Sequence, residues 1–480
     1  MTEQNKNNNS RLKYKRYLPL LIGIVLGVGV IAWTSSKLDS DEGKRSPSEM
    51  FASKSDKSAP GMCADPEPST HACFTAKAGL CKEDLDKAKI AWAYYENNYQ
   101  PKTGLVNSVN NYTSTTMWDT GSAIAATIAA HDFGLIDQKD FDDRIVALIK
   151  TLSSMKLFND EAPNKVYSTT TGKMVDYRNQ PSEEGIGVST LDLARLVSWM
   201  NTLICKYPKF TTHANRVLSR WDYDRLIKNG QMYGLARDAV TKKVRVLQEG
   251  RLGYEQYAGK VFEQIGFDQS IAADYENKFR SGMDIYDVPV AFDSRDPRVL
   301  GAYNYVVTES YGLDAMEHGY DEVNTPLVRN IFDVQKERWK RTGIVSAISE
   351  DNVDRKPYFI YNTIFTAGLP WNTTTDRGVQ YNELKSVSTK AAFTMAMLYP
   401  DDDYSQVLIE QVESAYDPKK GWYSGVYENG GGYNKATTAN TNGIVLSTLL
   451  YKKYGSMFEI CNACGRQIKL DPSIFKSQQK

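Results

Sequence analysis

Acidic residues at loop ends and predicted helix starts, several of them beside a Trp or Tyr, are the side chains of this chain best suited to chemistry. We select four of them as candidate catalytic residues: Asp119, Glu184, Glu255 and Glu309. Glycoside cleavage uses one protonated carboxyl, which donates to the leaving oxygen, and one ionised carboxylate, which activates water or attacks the anomeric carbon. For any one of them the alternative is a helix-cap or first-turn carboxylate that interacts with backbone amides. The spacing does not decide which carboxyl is the acid, or whether the reaction inverts or retains configuration.

Aromatic residues in the same predicted loops are candidates for holding a sugar ring. The chain has 30 Tyr and eight Trp, and rings with a polar edge suit flat ligands such as sugars. The candidate substrate-binding residues are Trp118, Tyr254, Tyr257, Trp371, Trp422 and Tyr423. Apolar contact with a ring can also raise the pKa of a neighbouring carboxyl, which favours a proton donor. Packing between helices is the alternative role for many of the tyrosines.

Other common chemistries lack their sequence signals. The four His residues are scattered without an H-E-x-x-H motif, and the chain has no G-x-S-x-G elbow and no Walker loop. The run Asp401-Asp402-Asp403 is interpreted as an acidic helix cap rather than a calcium site. The 58 basic and 58 acidic side chains balance, so no field gathers nucleic acid. We expect no metal, no cofactor and no nucleic-acid partner.

Two pairs of related segments suggest how the candidate residues are positioned. A Gly- and aromatic-rich loop and a Thr-Thr pair precede both Asp119-Thr120-Gly121 and Asn440-Thr441-Asn442, and each triplet opens a small-residue apolar stretch. The spacing E-x-x-x-V-S-T occurs at both Glu184 and Glu383 and leads into an apolar run each time. Recurring loop-then-helix units indicate stacked helical hairpins, which bury their apolar faces against neighbours. Closed into a ring, they would place a polar pocket at one end.

Helical periodicity recurs along most of the chain. It predicts helices at about 84–99, 119–134, 138–156, 186–206, 254–266 and 321–341. A hairpin is predicted within 232–248, and a shorter one between 157 and 185. No segment shows the βαβ recurrence of a doubly wound fold. The prediction is an all-α toroid of helical hairpins, elaborated by loops and short β-hairpins.

The N-terminus carries a targeting segment. Four basic residues within 11–16 precede an apolar run from Tyr17 to Trp33, and the positive-inside rule then places residues 1–16 in the cytoplasm. We predict a single-pass inner-membrane anchor at 17–34, a flexible periplasmic linker at 35–80, the toroid domain at 81–458 and a C-terminal tail at 459–480. A cleaved signal peptide is the alternative to an anchor, and either one exports the main domain.

Export favours disulfides for the six Cys residues. The disulfide candidates are Cys73, Cys81, Cys461 and Cys464, with the pairing left open. A bridge between the two ends of the soluble region would join the first and last helices of a ring. A redox role for the Cys461-Asn-Ala-Cys464 motif is the alternative, and it predicts accessible thiols under mild reduction.

Four segments together resemble a bacterial envelope family catalogued as domain of unknown function 3131. They are TTMWDTGSAIAA, SEEGIGVSTLDLARL, YEQYA and GWYSGVYENGGGYNKATTANTNGIVLSTLLYKKYG, and the resemblance covers about residues 85–456. That family is similar in turn to the glucoamylase-like (α/α) toroid domains of cyclic glucan synthases and related enzymes. The resemblance implies an (α/α)6 barrel of six hairpins and a polysaccharide partner. It assigns no acid or base.

The resulting hypothesis is a membrane-anchored periplasmic protein that cleaves or remodels an envelope or exopolysaccharide glucan with a carboxylate pair. The alternative is a non-catalytic glycan-binding or scaffold subunit of a polysaccharide biosynthesis or export system. The expected partners of the protein are a polysaccharide or oligosaccharide, the inner membrane and polysaccharide synthase or export proteins. Fold does not separate these two hypotheses.

Overall fold

The computed structural model describes residues 74–295, 297, 303–466 and 468. The predicted cytoplasmic tail and anchor, and the predicted linker up to residue 73, lie outside these residues. Among the described residues, no helix is long and apolar enough to span a bilayer. The last part of the predicted linker belongs to the folded body, because Phe74 is fully buried and packs edge-on against Tyr454.

The described residues form twelve α-helices. They are α1 (Lys82–Asn98), α2 (Met117–Asp132), α3 (Gln138–Ser154), α4 (Thr190–Lys206), α5 (Thr211–Leu218), α6 (Tyr254–Gln264), α7 (Thr308–Leu313), α8 (Asn324–Thr342), α9 (Thr389–Leu398), α10 (Asp403–Val412), α11 (Ala439–Tyr454) and α12 (Met457–Ala463). Short 3-10 turns lie at Pro208–Phe210 and Asn382–Leu384, and a π-helical turn at Asp314–His318 extends α7. The long periodic segments predicted from the sequence are therefore helical, with ends shifted by a few residues.

Six of these helices form a closed inner ring. In chain order α2, α4, α6, α7, α9 and α11 each pack against the next, and α11 packs against α2. Helices α1, α3, α5, α8 and α10 alternate with them along the chain except between α6 and α7, and each packs against an inner helix. The sequence explains the two layers: α2 is rich in Ala and Ile and buried on most sides, whereas α3 buries only a stripe that includes Phe141, Ile145 and Leu148.

Short strands elaborate the loops. They are β1 (Ser114–Thr115), β2 (Tyr167–Ser168), β3 (Gly187–Val188), β4 (Ile227–Lys228), β5 (Gln231–Arg237), β6 (Val244–Gln248), β7 (Arg280–Ile285), β8 (Val288–Asp293), β9 (Glu350–Asn352), β10 (Phe359–Asn362), β11 (Phe365–Thr366), β12 (Leu369–Pro370), β13 (Thr373–Thr374), β14 (Ser386–Ser388), β15 (Tyr416–Asp417), β16 (Gly421–Trp422), β17 (Gly425–Tyr427) and β18 (Tyr433–Asn434). Every pairing among the strands is antiparallel, and β5 lies between β3, β4 and β6.

The sequence predicted one of the two long β-hairpins among the described residues and not the other. The hairpin predicted within 232–248 is confirmed as β5 and β6. Between α6 and α7 the described residues form a second hairpin, β7 and β8, in a stretch without a regular sequence pattern. Within 157–185 the predicted shorter hairpin is present as antiparallel bridges, with Tyr167 opposite Met174 and Val175 opposite Pro181. In addition, β2 pairs with β1 from the preceding loop.

Side-chain caps explain the repeated Thr residues. The Thr116 side chain caps α2 by accepting from the Asp119 amide, and Thr438 caps α11 by accepting from the Thr441 amide. Five residues after each cap stands a glycine, Gly121 or Gly443, where a Cβ would collide with the neighbouring helix. Small residues at these positions allow the inner helices to approach closely. The caps therefore align Asp119 with Thr441, one residue from the alignment with Asn440 that the sequence suggested.

A disulfide joins inner helix α4 to the last described helix, α12. Cys205 at the end of α4 is bonded to Cys461 in α12, 256 residues later. A bridge over that distance stabilises the fold by about 5 kcal/mol in the chain-entropy model. Cys81 and Cys464 are also disulfide-bonded. The four disulfide candidates did not include Cys205, because this residue lies within an apolar helix. Cys461 belongs to α12 rather than to a separate tail.

Candidate active site

Residues at the starts of all six inner helices line one cleft, with a cavity volume of about 480 Å³. They include Asp119 of α2, Asp192 of α4, Tyr254 of α6, Glu309 of α7, Lys390 of α9 and Asn440 of α11. Further lining comes from β5, β6 and the loop after β6, and from β9 and β10. The helix N-termini carry partial positive charge, which favours carboxylates in this position.

Asp192 and Glu249, which we call the acid pair, lie together on one part of the cleft. The Ser189 hydroxyl and the Thr190 backbone N–H donate to the two Glu249 carboxylate oxygens, over 2.9 and 2.6 Å. Burial, and then the negative charge of Glu249, raise the pKa of Asp192 to about 7. Burial also raises the pKa of Glu249. At neutral pH the acid pair therefore holds a proton that it can donate.

A second group, which we call the lysine cluster, consists of Lys390, Glu309 and Asp351. The Lys390 side chain is only 4% exposed, forms an ion pair with Glu309 and lies 3.7 Å from Asp351. Burial lowers the pKa of Lys390, but the two carboxylates outweigh burial and raise it above its usual value. Burial raises the pKa of Asp351 to about 8 in spite of this lysine. The Asn440 amide donates to the other Glu309 oxygen over 2.8 Å.

Asp119 lies at the start of α2. Its Oδ2 accepts from the Thr116 hydroxyl over 2.9 Å, and burial raises the pKa of this carboxyl. The negative charge of Glu309 raises this pKa further, while the charge of Lys390 lowers it. Asp119 is half-buried, so its carboxylate can reach a ligand in the cleft.

Glu350 completes the set of carboxylates. The Tyr254 hydroxyl donates to one Glu350 oxygen, and the Ser349 hydroxyl donates to the other over 3.2 Å. Burial raises the pKa of Glu350. Tyr254 in turn packs edge-on against Trp118, with ring centroids 5.5 Å apart. An aromatic pair therefore stands next to the carboxylates.

Four of the predicted site residues meet in the cleft. Asp119, Glu309, Trp118 and Tyr254 all line it, although they come from α2, α6 and α7. The indole N–H of Trp118 donates to Asn440 over 3.0 Å. The grouping of these residues around one cavity agrees with the sequence prediction, while their chemical roles stay predictions.

Two predicted catalytic residues lie elsewhere. Glu184 is 63% exposed, outside the cleft lining, with Arg237 3.8 Å away. Glu255 is fully buried and paired with Arg295, whose Nη1 donates to it over 3.1 Å. The sequence placed Glu255 beside Tyr254, but one residue along a helix turns the side chain by about 100°. The prediction that these two carboxylates share the pocket is therefore wrong.

Four predicted aromatic residues also lie outside the cleft lining. Tyr257 is buried and donates to Glu317 over 2.7 Å, beneath Trp118. Trp422 is 1% exposed and donates to the Lys87 carbonyl over 3.2 Å. The other two are Trp371, with the Arg338 guanidinium 4.6 Å from its ring, and Tyr423, which packs against Tyr433. Trp422 is buried within β16 and Tyr257 within α6, whereas Trp371 and Tyr423 are partly buried outside the cleft.

Sequence reasoning missed the acid pair, Lys390, Glu350 and Asp351. One signal was available for two of them, because Asp192 and Lys390 both follow the Ser-Thr of the repeated E-x-x-x-V-S-T spacing. Glu184 and Glu383, which begin this spacing, do not line the cleft, whereas the residues that follow it do. Glu249 had no local signal, since it is positioned by Ser189 and Thr190 from a distant segment.

No group of three or more His, Cys, Asp or Glu side chains within the described chain is arranged to hold a metal ion. The carboxyl groups of the cleft can perform acid-base and electrostatic catalysis. The acid pair can supply a proton, Asp119 can act on a reacting atom, and Glu309 forms an ion pair with Lys390.

Comparison with known proteins agrees with this architecture. The family described as "Protein of unknown function (DUF3131)" matches residues 86–455. Comparison with curated proteins finds no match. Among solved structures, the chain is similar to a glucoamylase-like protein of Bacteroides caccae, with a TM-score of 0.58, 13% identity and coverage of 79% of this chain and 95% of that one.

Two further similar structures are endo-β-1,2-glucanases. The Chitinophaga pinensis enzyme, in complex with sophorotriose and glucose, has a TM-score of 0.55 and 12% identity, with 82% of this chain and all of that chain covered. A mutant of the Talaromyces funiculosus enzyme, in complex with β-1,2-glucan, has a TM-score of 0.53 and 11% identity. The similarity covers 80% of this chain and 86% of that chain. At such identities the likeness shows the fold, a helix-rich glucoamylase-like body.

Proposed function

We propose, from the premise that the chain belongs to the family described as protein of unknown function (DUF3131), that it is a glycoside hydrolase acting on a glucan. The observation that carries this proposal is the pairing of two kinds of carboxyl group in one cleft. The acid pair keeps a proton near neutral pH, whereas Glu309 is ion-paired with a buried lysine. Glycoside hydrolysis needs a proton donor and a second carboxylate that acts on water or on the anomeric carbon. Asp119, which feels the charges of both Glu309 and Lys390, supplies the second.

In the proposed reaction the acid pair donates its proton to the glycosidic oxygen as the bond to the anomeric carbon breaks. Asp119 removes a proton from a water molecule, or attacks the anomeric carbon directly and is displaced by water afterwards. Either route ends with the water oxygen on the anomeric carbon and the proton on the leaving oxygen. The charge of Glu309 stabilises the positive charge that develops on the sugar ring.

The neighbouring residues hold these groups in place. The amide of Asn440 links Glu309 to the Trp118 indole, so one contact aligns a carboxylate with an aromatic ring. Ser189 and the α4 N-terminus orient Glu249 within the acid pair. Glu184 and Glu255 take no part in this proposal because they lie outside the cleft lining.

The test is hydrolysis of glucans by the purified full-length protein. β-1,2-glucan is the first substrate to try, since two similar structures are β-1,2-glucanases, followed by β-1,3-, β-1,4- and α-1,4-glucans. We expect release of oligosaccharides by the wild type and none by Asp192→Asn or Asp119→Asn, with ligand binding retained. Glu184→Gln is the matched control, because it removes a carboxylate outside the cleft.

A wild-type protein that binds glucans and cleaves none would contradict the proposal. Binding without turnover would instead support the glycan-binding or scaffold alternative. Release of oligosaccharides that persists in both variants would show that the proposed carboxyl groups are not the catalytic ones.

We further propose that the protein is anchored in the inner membrane by residues 17–34 and works on the periplasmic side. The basic residues before the apolar run support this orientation. The Cys205–Cys461 disulfide also supports it, because such bonds persist in oxidising compartments. Protease added to intact spheroplasts should degrade the main domain and leave a short membrane-protected N-terminal fragment. A main domain that resists the protease until the cells are lysed would contradict this topology.

A further inference from the structure

An aromatic strip continues from the carboxylates toward the edge of the cleft. It consists of Tyr303, Tyr305, Phe359 and Tyr361, all of which line the cavity. The rings of Tyr305 and Tyr361 stack nearly parallel, with centroids 3.6 Å apart and an angle of 6°. Phe359 packs edge-on against Tyr361 at 5.3 Å, and Tyr303 lies 6.2 Å from Tyr305. None of these four residues is among the site residues predicted from the sequence.

The strand register shows how the strip is placed relative to the carboxylates. In the antiparallel pair of β9 and β10, Tyr361 lies opposite Glu350 and Phe359 lies opposite Asn352. Alternation along β10 puts Phe359 and Tyr361 on one face, while Ile360 between them is buried on the other. Phe359 is therefore displaced from the Glu350 position by about 7 Å along the strand.

The exposure of the rings increases away from the carboxylates. Tyr361 and Tyr305 are half-buried, whereas Phe359 is 41% exposed. Covering the exposed part of Phe359 would be favourable, because apolar surface gains free energy when it leaves water. The flat apolar face of a pyranose would cover it, while the sugar hydroxyls stay in water.

We infer that this strip is a second sugar-binding subsite, which holds units of a glucan chain beyond the glycosidic bond at the carboxylates. The inference rests on the proposed function for the class of ligand and adds the requirement for chain length. A disaccharide spans the carboxylates alone, whereas a longer chain also covers Tyr361 and Phe359. The preferred ligand is therefore an uncharged glucan of several sugar units.

The experiment measures affinity as a function of chain length. Full-length Asp192→Asn protein, expected to bind without cleaving, is titrated calorimetrically with gluco-oligosaccharides of increasing length in the β-1,2, β-1,3, β-1,4 and α-1,4 series. We expect affinity to rise beyond two units in at least one series. Adding Phe359→Ala should weaken binding of the longer members roughly tenfold and leave the disaccharide unchanged.

Tyr358→Ala is the matched control. Tyr358 precedes Phe359, is 58% exposed and lies outside the cleft lining, so its removal should not change any affinity. Phe359 is the first variant to test because its exposed position makes loss of folding a minor effect. Tyr361→Ala follows, with the melting temperature measured to show that the variant is folded.

The outcomes separate this inference from the proposed function. Affinity that does not increase with length in any series would overturn the subsite, even if the wild type hydrolyses glucans. An equal effect of Phe359→Ala and Tyr358→Ala would overturn it as well. Length-dependent binding that Phe359→Ala weakens, in a wild type that cleaves nothing, would support the subsite and contradict the catalytic proposal.

Discussion

The acid pair and the lysine cluster are built from the same kinds of residue but differ in one neighbour. Both include residues at inner-helix starts, and burial raises the pKa of Asp192 and of Asp351. The lysine cluster contains a buried cation that pairs directly with Glu309. Among the described residues no lysine, arginine or histidine pairs with Asp192 or Glu249 within 4 Å, although Lys165 lines the same cleft.

This difference shows how one fold can prepare two carboxyl groups for opposite tasks. Burial alone favours the protonated form, so a buried carboxyl without a partner becomes a proton donor near neutral pH. The direct ion pair with Lys390 offsets the loss of hydration of Glu309, whereas Asp351, 3.7 Å from the same lysine, still has its pKa raised to about 8 by burial. The position of a single lysine therefore separates the acid from the charged group.

The largest expected effect is on the proton donor. Asp192→Asn and Glu249→Gln should each lower kcat/KM on an unmodified glucan by about 10²- to 10⁴-fold. The loss should be much smaller on an aryl glucoside with a dinitrophenyl leaving group, which departs without a proton. Steady-state kinetics on both substrates measure this difference.

Asp119→Asn is the comparison that makes this test specific. Because Asp119 is proposed to act at the anomeric carbon or on water, its removal should slow both substrates alike. An acid-pair variant that is equally slow on the two substrates would contradict the assignment of the acid pair as proton donor.

The second effect concerns the lysine cluster. Burial raises the pKa of Asp119, and Lys390 lowers it, so Lys390→Met should raise this pKa further. Activity that needs ionised Asp119 would then be lost at a higher pH, and the acidic limb of the kcat/KM profile should move up by about one unit. Lys390→Arg retains the charge and should keep the limb near its wild-type position. An unmoved limb in a folded Lys390→Met protein would show that this lysine does not set the charge of the site.

The third effect is on stability. A carboxyl has a pKa of about 3.9 in an unfolded chain, and the folded pKa of Asp192 is raised to about 7, chiefly by burial. Between these values the folded state binds more protons than the unfolded state, so the free energy of unfolding falls as pH rises. The Asp192→Asn protein has no carboxyl at this position, so this contribution to the fall in its free energy of unfolding is absent.

The melting temperature of Asp192→Asn, relative to wild type, should therefore increase by a few degrees between pH 4 and pH 8. Glu184→Gln, which changes an exposed carboxylate outside the cleft, should show a constant difference. A difference for Asp192→Asn that is also constant over this range would argue against a raised folded-state pKa.

The smallest expected effect tests the unpaired cation near the acid pair. Lys165 opposes burial and lowers the pKa of Asp192. Lys165→Met should therefore move the basic limb of the activity profile to higher pH by roughly half a unit. The shift should shrink in high salt, since no ion pair among the described residues fixes this lysine. A basic limb that moves to lower pH would contradict the proposed sign of the interaction.

Local features of the fold were predictable from the sequence. The apolar helices, the hairpin of β5 and β6 and the Thr-capped starts of α2 and α11 all follow from patterns within a few residues. Asp119, Trp118, Tyr254 and Glu309 were found for the same reason. Each stands at a helix start, and the six helix starts share one end of the ring.

Relations between distant segments were not predictable. Trp118 meets Asn440 across 322 residues, and Ser189 meets Glu249 across 60. Tyr254 and Glu255 are neighbours in sequence, yet only Tyr254 lines the cleft, because the two side chains point in different directions from α6. No pattern within a short window contains these relations.

The sequence by itself determined where the inner helices begin, which faces they bury and that carboxylates and aromatic residues would gather at their starts. These properties depend on local hydrogen bonding and on apolar periodicity. The tertiary structure decided which carboxyl received a lysine, which kept a proton and which rings stayed exposed. Charge and pKa depend on groups within a few ångströms, and only closure of the ring brings those groups together.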